Sequence, residues 1–518
     1  MSNSLPNPAE NESQRAGGPR YPGSDSLPDP AESQSRCCSG RVRRWVFIVT
    51  ALATLVVLFY TVENWRGKRA WEKYKREMQA KGELLDWRSC LPPRVPDEQN
   101  FIKTPFLDAV GYKDKVDANV WSPFSRLNFG GLLSAMGAVG SFWQQGKMSD
   151  LKAGQDYVRS STNYTLPPLP QEPGADVLAV FRPVERELNE IRQASQRPYA
   201  QFVIEGDDPF TASIPNFVGV RILAQSFSVI ASAELSLHQV EAAFQDTKVM
   251  LRFAAAMSEQ PTLVSTMISV AITGLSLQAF WEGWASGQWC EAQLEEFQKI
   301  FAATDLPAAV HRSLRVGERG GVNYIVENYT GKRLATLFGG SSFKDRMFGW
   351  AARCAPRGWI YQNQLVYNRA MQDVVLANYD PEKRLVIPGE LQNEAVERFV
   401  EGYGPFKYLV ALAIPNFARA MQTTARNQTF VNAAALACAL ERHRRALGQY
   451  PETLQALVPR FMDKLPHDLI GGQPLHYRRT DDGKFLLYSI GGNGKDDGGV
   501  VASDWQQGDW IWHFPAKP

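Results

Sequence analysis

The sequence predicts a mainly helical protein, a helical array or bundle, with one N-terminal transmembrane helix and a C-terminal α+β domain. Three observations predict this class. A run without charge, proline or glycine covers residues 45–62. Apolar residues recur at spacings of three and four through residues 217–303, which is the period of a helix. Near the C-terminus, a long helical pattern precedes short alternating runs that are typical of strands.

Composition excludes several classes. The 518 residues are enough for about two to four domains. Lys and Arg number 56 against 54 Asp and Glu, so no excess of charge attracts the chain to nucleic acid. The cysteines form no CxxC pair, which argues against a structural zinc site and a dense disulfide framework. They are Cys37, Cys38, Cys90, Cys290, Cys354 and Cys438.

The apolar run at 45–62 predicts a single membrane anchor. At 1.5 Å per residue, a helix of this length spans roughly the 30 Å hydrocarbon layer. A cleaved signal peptide is the alternative, but its apolar region would be too long, and no small-residue cleavage site follows. Residues 1–43 are rich in Ser, Pro, Asn, Glu and Gly, which predicts a disordered tail on the cytoplasmic side. Basic residues flank the run on both sides, and their count alone would favour the opposite orientation.

The segment after the anchor predicts a juxtamembrane helix over 63–90. Charges surround most of its circumference, while four apolar residues lie at helical spacing and form a seam. They are Trp65, Trp71, Tyr74 and Met78. A solvated spacer is the alternative. Residues 91–215 begin with several prolines and are expected to be an irregular linker region that lies against a surface.

The middle of the chain predicts packed helices. The pattern over residues 216–305 predicts an array of helical hairpins, with Pro261 and Gly287 at expected helix ends. The stretch 233–256 resembles one tetratricopeptide hairpin, although no second copy is clear at that period. Residues 306–400 give mixed, mostly helical signals. We expect these regions to form a platform for protein contacts.

The C-terminal region predicts a long helix followed by a small sheet. The helix covers about 408–447, with a break at Pro415 and a stop at Gly448. A second, short helix would begin with Thr453 as its cap. Two or three short strands follow, and Asp482-Gly483 between two of them predicts a hairpin.

This order of elements over residues 401–518 resembles the head of type IV pilins and of the type II secretion major pseudopilin. Four short motifs occur in the family's order. Their residues are Ala413, Ile414, Pro415, Asn416, Phe417, Ala418 and Arg419, then Gly448, Tyr450, Pro451, Leu454 and Leu457, then Pro466, Asp468, Gly472, Pro474 and Tyr477, then Ser489, Gly491, Asn493, Gly494, Gly498 and Gly499.

The resemblance also has departures. A pilin begins with a long apolar helix, whereas this domain lies at the C-terminus and its apolar stretch at 408–415 is too short to span a bilayer. The resemblance therefore implies a pilin-like head used as a periplasmic module rather than a pilus subunit. It places the N-terminus in the cytoplasm and the bulk of the chain outside the bacterial inner membrane. The whole chain also resembles large single-anchor bacterial envelope proteins.

The glycine-rich loop "YSIGGNGKDDGG" at 488–499 is the candidate metal site. In major pseudopilins the corresponding loop binds calcium, a cation that takes six to eight oxygen ligands. The resemblance implies calcium here, with ligands from Asn493, Asp496, Asp497 and Asp504. Asn493 stands where the family has Asp, which removes one negative charge. A solvated glycine turn with acidic residues is the alternative.

The sequence predicts no catalytic residues. It contains no HExxH, GxSxG, Walker or strand-linked GxGxxG motif, and its histidines form no metal-binding pair. The first hypothesis is a non-enzymatic scaffold with protein partners, linked to secretion or surface structures and tethered through residues 45–62. The alternative is a single-anchor glycosyltransferase or hydrolase with its site in residues 100–400. Glu205 and Asp207 of "EGDDP" are its candidate acidic residues.

Overall fold

A computed structural model describes residues 30–126, 129–137, 142–206, 208–209, 211–329, 333, 353–401, 406–502, 504 and 506–515. The protein is mainly helical, with 64% helix and 6% strand, and its small sheets are antiparallel. This confirms the mainly helical class. The chain divides after Val62 into two compact units, Met1–Val62 and Glu63–Pro518.

The first helix, α1 (Pro30–Ala80), contains the predicted anchor. Because α1 begins at Pro30, residues 30–43 are helical, and the prediction of disorder over the whole of 1–43 is wrong for them. Residues 1–29 lie outside the described part of the chain. The apolar side chains along 45–62 are mostly exposed, including Trp45 at 68% and Phe47 at 74%.

Three helices within the described residues are long and apolar enough to cross a membrane. They are Arg41–Ala80 in α1, α8 (Phe217–Ser236) and α10 (Leu263–Ala285). The apolar windows of the last two are 78% and 61% buried inside the fold, whereas that of α1 is 0% buried. Hydrophobicity along α8 and α10 is therefore used for packing.

The part of α1 that belongs to the second unit packs against the helical body. Trp71, Tyr74 and Met78 are buried, whereas Trp65 is 61% exposed. The indole Nε1 of Trp71 donates to Glu327 Oε1 at 2.9 Å. These contacts favour the seam over the solvated spacer, with Trp65 outside it.

The described part of residues 91–215 contains six short α-helices, which the expectation of an irregular linker did not include, joined by irregular segments. Caps help to start these helices: the Thr104 hydroxyl accepts from the amide of Leu107 at 3.1 Å, and the Asp150 carboxylate from that of Ala153 at 2.8 Å. Pro105 and Pro173 occupy the first position of a helix, where proline is favourable because no backbone N–H is needed there. The helices are α2 (Pro105–Val110), α3 (Ala118–Arg126), α4 (Phe129–Ala135), α5 (Leu151–Ser160), α6 (Pro173–Ala179) and α7 (Glu185–Ala194).

The middle helices follow the expected boundaries. α8 and α9 (Val240–Ser258) form a hairpin whose turn contains His238 at φ 58°. Pro261 precedes α10, and Gly287 follows it at φ 70°. The next helices are α11 (Glu291–Ala303), α12 (Leu306–Arg312), α13 (Arg319–Asn328), α14 (Arg357–Ala370) and α15 (Gly389–Val400). π-Helical turns lie at Ser313–Glu318 and Met371–Val375. A two-stranded hairpin consists of β1 (Tyr379–Asp380) and β2 (Leu385–Val386).

The C-terminal region has the predicted helix and sheet. α16 (Tyr408–Leu447) ends at Gly448, which has φ 80°. It continues through Pro415 instead of breaking there; water can replace the lost hydrogen bond, because Ala411 one turn earlier is exposed. The expected second helix is one 3-10 turn, Leu454–Leu457, at which Thr453 makes no side-chain cap. β3 (His476–Arg479), β4 (Phe485–Ser489) and β5 (Trp510–Trp512) form an antiparallel sheet in that order.

The helix and sheet share one large hydrophobic core with most of the second unit. α16 packs against α10, α11 and α12, and its Val431, Leu436 and Leu440 are fully buried. Trp512 of β5 lies 5.1 Å from the ring of Trp143 and 5.5 Å from that of Trp284. The predicted ranges 216–305, 306–400 and 401–518 thus contribute to a common core.

Candidate functional site

The glycine-rich loop leaves β4 and returns to β5. Gly491, Gly494, Gly498 and Gly499 all have positive φ, between 69° and 84°, a region that side chains disfavour. At Gly491 a Cβ atom would also lie 1.9 Å from the carbonyl oxygen of Gly508. The glycines are therefore required by the path of the backbone, whatever the loop binds.

The loop folds around a carboxylate of its own chain. Asp509 is 3% exposed, and its carboxylate accepts hydrogen bonds from three backbone amides within residues 497–500. The donors are the amides of Asp497 at 3.3 Å, Gly499 at 2.6 Å and Val500 at 3.2 Å. Backbone N–H groups that converge in this way form an anion-binding concavity. Here Asp509 occupies it.

A second buried carboxylate holds the start of the loop. Asp468 is 2% exposed, and it accepts from the amide of Ile470 at 2.9 Å and from that of Ile490 at 3.1 Å. Sequence reasoning assigned no role in the site to Asp468 or Asp509. The sequence offered one signal for Asp509. It is an acidic residue between Gly508 and the apolar run of β5, a position at which a carboxylate is brought towards the buried sheet.

Two of the predicted calcium ligands contact each other. The amide Nδ2 of Asn493 donates to Asp497 Oδ2 at 3.2 Å, and Asn493 Oδ1 accepts from the amide of Lys495 at 3.0 Å. The oxygen of Asn493 is therefore used in a local turn.

The other two predicted ligands make separate contacts. Asp496 accepts from the hydroxyl of Tyr488 at 3.1 Å and from the amide of Gly498 at 2.9 Å, and it lies 3.3 Å from His476 Nδ1. The Gly498 amide lowers the pKa of Asp496 below its usual value. Asp504 accepts only locally, from the amide of Gln506 at 3.0 Å, among the contacts that the structure describes for its side chain.

These four residues do not form a common set of oxygen ligands. Within the described part of the chain, no group of three or more His, Cys, Asp or Glu side chains is arranged to hold a metal ion. A calcium ion at this loop would need the Asn493 turn to open and the carboxylates to converge. Calcium binding by Asn493, Asp496, Asp497 and Asp504 stays a prediction.

The acidic motif at 205–209 is tied to neighbouring elements. Glu205 is exposed and pairs with Lys115 at 3.0 Å. Asp208 accepts from the hydroxyl of Tyr329 at 2.7 Å and pairs with Arg333 at 2.6 Å. Asp207 lies outside the described residues. The described acids of this motif therefore make ion pairs with different parts of the chain.

Comparisons do not assign the chain to a family. Neither the protein-family models, nor the curated proteins, nor the solved structures gave a match to this sequence or fold.

Proposed function

We propose that this protein is a single-pass protein of the bacterial inner membrane that acts as a non-enzymatic scaffold outside the cytoplasm. One observation carries the membrane assignment. Of the three long apolar helices in the described residues, α1 alone leaves its apolar window unburied. Exposure of so many large apolar side chains to water is unfavourable by about 25 cal/mol per Å², and a bilayer removes that cost.

The scaffold role is supported by how the second unit is built. The segment after the anchor is held to the body by a cluster of buried residues that includes Trp71 and Tyr74, and most of the body shares one large core. The order of long helix, hairpin and third strand over 408–512 agrees with the order expected of a pseudopilin-like head. α16 is covered by α10, α11 and α12, so little of its surface is available to pack in a filament.

Membrane fractionation tests the anchor. We expect the full-length chain to stay in the membrane pellet after alkaline carbonate extraction. Leu55→Arg combined with Leu58→Arg should move it to the soluble fraction, because each Arg at a helix centre opposes insertion by about 2.5 to 3.5 kcal/mol. Leu447→Arg, at an exposed leucine of α16, is the matched control and should stay in the pellet. Recovery of the wild type as soluble protein would refute the anchor.

Cysteine labelling tests the orientation. Cys290 is exposed in the second unit, and Cys37 precedes the anchor. In intact spheroplasts, a membrane-impermeant maleimide should label a variant in which Cys290 is the sole cysteine. A variant in which Cys37 is the sole cysteine should be labelled only after the membrane is permeabilised. The reverse pattern would place the bulk of the chain in the cytoplasm.

A further inference from the structure

A cavity of about 990 Å³ lies between the short helices α6 and α7 and the α8–α9 hairpin. It is large enough for a small organic molecule or a peptide side chain. Its lining combines apolar side chains with amide and charged ones. The charged residues that line it are Arg182, Glu185, Arg192, Glu234, Asp246 and Lys248.

The guanidinium of Arg192, which lines the cavity, donates four hydrogen bonds to other side chains. Arg192 binds the Asp246 carboxylate through two hydrogen bonds, from Nε and Nη2, each at 2.7 Å. Its Nη1 donates to Glu185 at 2.9 Å and to Asn189 at 2.8 Å. None of these hydrogen bonds goes to the third carboxyl group, that of Glu234, on which Arg192 acts through its charge.

One carboxyl oxygen of Glu234 is buried without a hydrogen-bond partner. The side chain is 6% exposed, and Oε2 is buried and makes no hydrogen bond. A buried carboxyl group in this condition is unfavourable by about 1 to 3 kcal/mol or more, which a ligand donor would relieve. Glu234 belongs to the cavity lining, so a ligand in the cavity is a source of a donor for this carboxyl group.

The surroundings of Glu234 favour a positive charge. Glu234 lies in the last turn of α8, which contains no basic residue, and helix C-termini attract cations. Burial, followed by the charge of Asp246, raises the pKa of Glu234 to about 9 despite the opposing effect of Arg192. Glu185 acts in the same direction as Asp246.

The two other basic residues of the lining are placed elsewhere. Lys248 Nζ pairs with Glu296 at 2.6 Å and lies 4.8 Å from the ring centre of Phe244. Arg182 is an exposed residue at the cavity edge. Among the described residues, Glu234 is therefore the acidic residue of the lining that forms no ion pair, and Arg192 acts on it only at longer range.

We propose that this cavity binds a ligand through an ammonium or guanidinium group, which pairs with the carboxylate of Glu234. In the free protein Glu234 carries a proton. When the cation enters, the O–H bond of Glu234 breaks, the proton leaves to solvent, and the carboxylate pairs with the ligand. No bond of the ligand is formed or broken.

Calorimetry on the full-length protein in neutral detergent tests this with putrescine. We expect putrescine to bind and to release close to one proton per ligand near neutral pH, measured in buffers of different ionisation enthalpy. Since the amines stay protonated, its affinity should rise about tenfold per pH unit, or roughly 100-fold from about pH 6 to about pH 8. 1,4-Butanediol, the neutral analogue, should bind at least tenfold more weakly.

Two variants separate binding from folding. Glu234→Gln keeps the side-chain shape and should abolish both proton release and the pH dependence. Glu187→Gln, on α7 but outside the cavity lining, should leave both unchanged. A blocked Ala-Lys-Ala peptide is titrated in the same way, with Ala-Gln-Ala as its neutral control. Its affinity, compared with that of putrescine, shows whether a lysine side chain of a protein binds more tightly than the free amine.

Binding of either cation with proton release that Glu234→Gln removes supports the proposal. It is overturned if neither cation binds, if butanediol binds as tightly as putrescine, or if Glu234→Gln binds like the wild type. Should Glu234→Gln not fold, the wild-type proton release and its pH dependence still decide.

Discussion

The backbone amide of Gly499 donates a 2.6 Å hydrogen bond to the buried carboxylate of Asp509, which thereby closes the glycine-rich loop from inside. Because two more amides of the same loop donate to Asp509, its charge stabilises the whole turn. The loop therefore has an internal organiser, and its stability can be tested without reference to any ligand.

Replacement of Asp509 should destabilise the protein. Asp509→Asn places an NH₂ group or a weaker acceptor against three amide donors, so we expect a loss of about 2 kcal/mol in the free energy of unfolding. Asp504→Asn removes an exposed carboxylate with one local contact and should change stability by less than about 0.5 kcal/mol. Denaturant unfolding of the full chain in detergent measures both. Equal effects would show that Asp509 has no special role.

Calcium binding to the same loop predicts a different result. If Asn493, Asp496, Asp497 and Asp504 bind calcium, calcium in the millimolar range should raise the Tm. Asn493→Ala and Asp497→Ala should each remove that increase, while magnesium should produce less of it. An unchanged wild-type Tm would contradict calcium binding and leave Asp509 as the organiser of the loop.

The attachment of the segment after the predicted anchor should depend on the ion pairs of Glu83. Glu83 pairs with Arg315 at 3.0 Å and with Arg319, which is fully buried. Glu83→Gln leaves that guanidinium uncompensated and should destabilise the protein by about 3 kcal/mol at neutral pH. Glu77→Gln removes an exposed pair with Lys73 and should change stability by less than about 1 kcal/mol. Similar losses in both variants would contradict this assignment.

The Glu83 contribution also has a definite pH dependence. Burial opposes ionisation, but hydrogen bonds from Arg315 and Arg319 outweigh it and lower the pKa of Glu83 below its usual value. A lowered pKa in the folded state stabilises the protein above the unfolded value of about 4.3. The difference between wild type and Glu83→Gln should therefore shrink as pH falls from about 4.3 through the lowered pKa. A difference that is constant with pH would exclude this ion pair as its cause.

Two glycines bring α1 and α14 into backbone contact. A Cβ atom on Gly358 would lie 1.9 Å from the carbonyl oxygen of Glu63, and one on Gly67 would lie 2.2 Å from that of Gly358. Gly358→Ala should therefore lower the Tm by several degrees. Gly130→Ala, at an exposed helical position with open space, should be neutral or stabilising by up to about 1 kcal/mol. A thermal shift assay compares them, and a neutral Gly358→Ala would refute the close contact.

Glu234 should reduce stability as pH rises. Its pKa of about 9 in the folded protein exceeds the unfolded value of about 4.3, so the folded state binds the extra proton between these values. Stability due to this group is full below about pH 4.3 and falls as pH rises towards 9. Without ligand, Glu234→Gln should raise the Tm more at about pH 8 than at about pH 5. Equal shifts at both values would indicate that Glu234 is ionised throughout.

Local patterns predicted many of the helix boundaries. Gly287 and Gly448 terminate helices, because a left-handed residue is needed just past a helix end and these positions supply it without strain. Asp482-Gly483 correctly marked the β3–β4 hairpin, in which Gly483 has φ 77°. Prolines were less informative: Pro105 and Pro173 begin helices, and Pro415 lies inside one. The effect of a proline depends on whether the displaced carbonyl can find another partner, which its sequence neighbours do not show.

The sequence by itself determined the helical class, the apolar segment of α1 and the helix–hairpin order of the C-terminal region, because these depend on local periodicity and turn residues. The tertiary structure showed what covers the long apolar helices: the apolar windows of α8 and α10 are largely buried inside the fold, whereas that of α1 is not. Only the tertiary structure decided that Asp509 accepts from the loop amides and that Glu234 lines a cavity while its Oε2 makes no hydrogen bond. The physical reason is that burial and hydrogen-bond pairing depend on residues far apart in the chain.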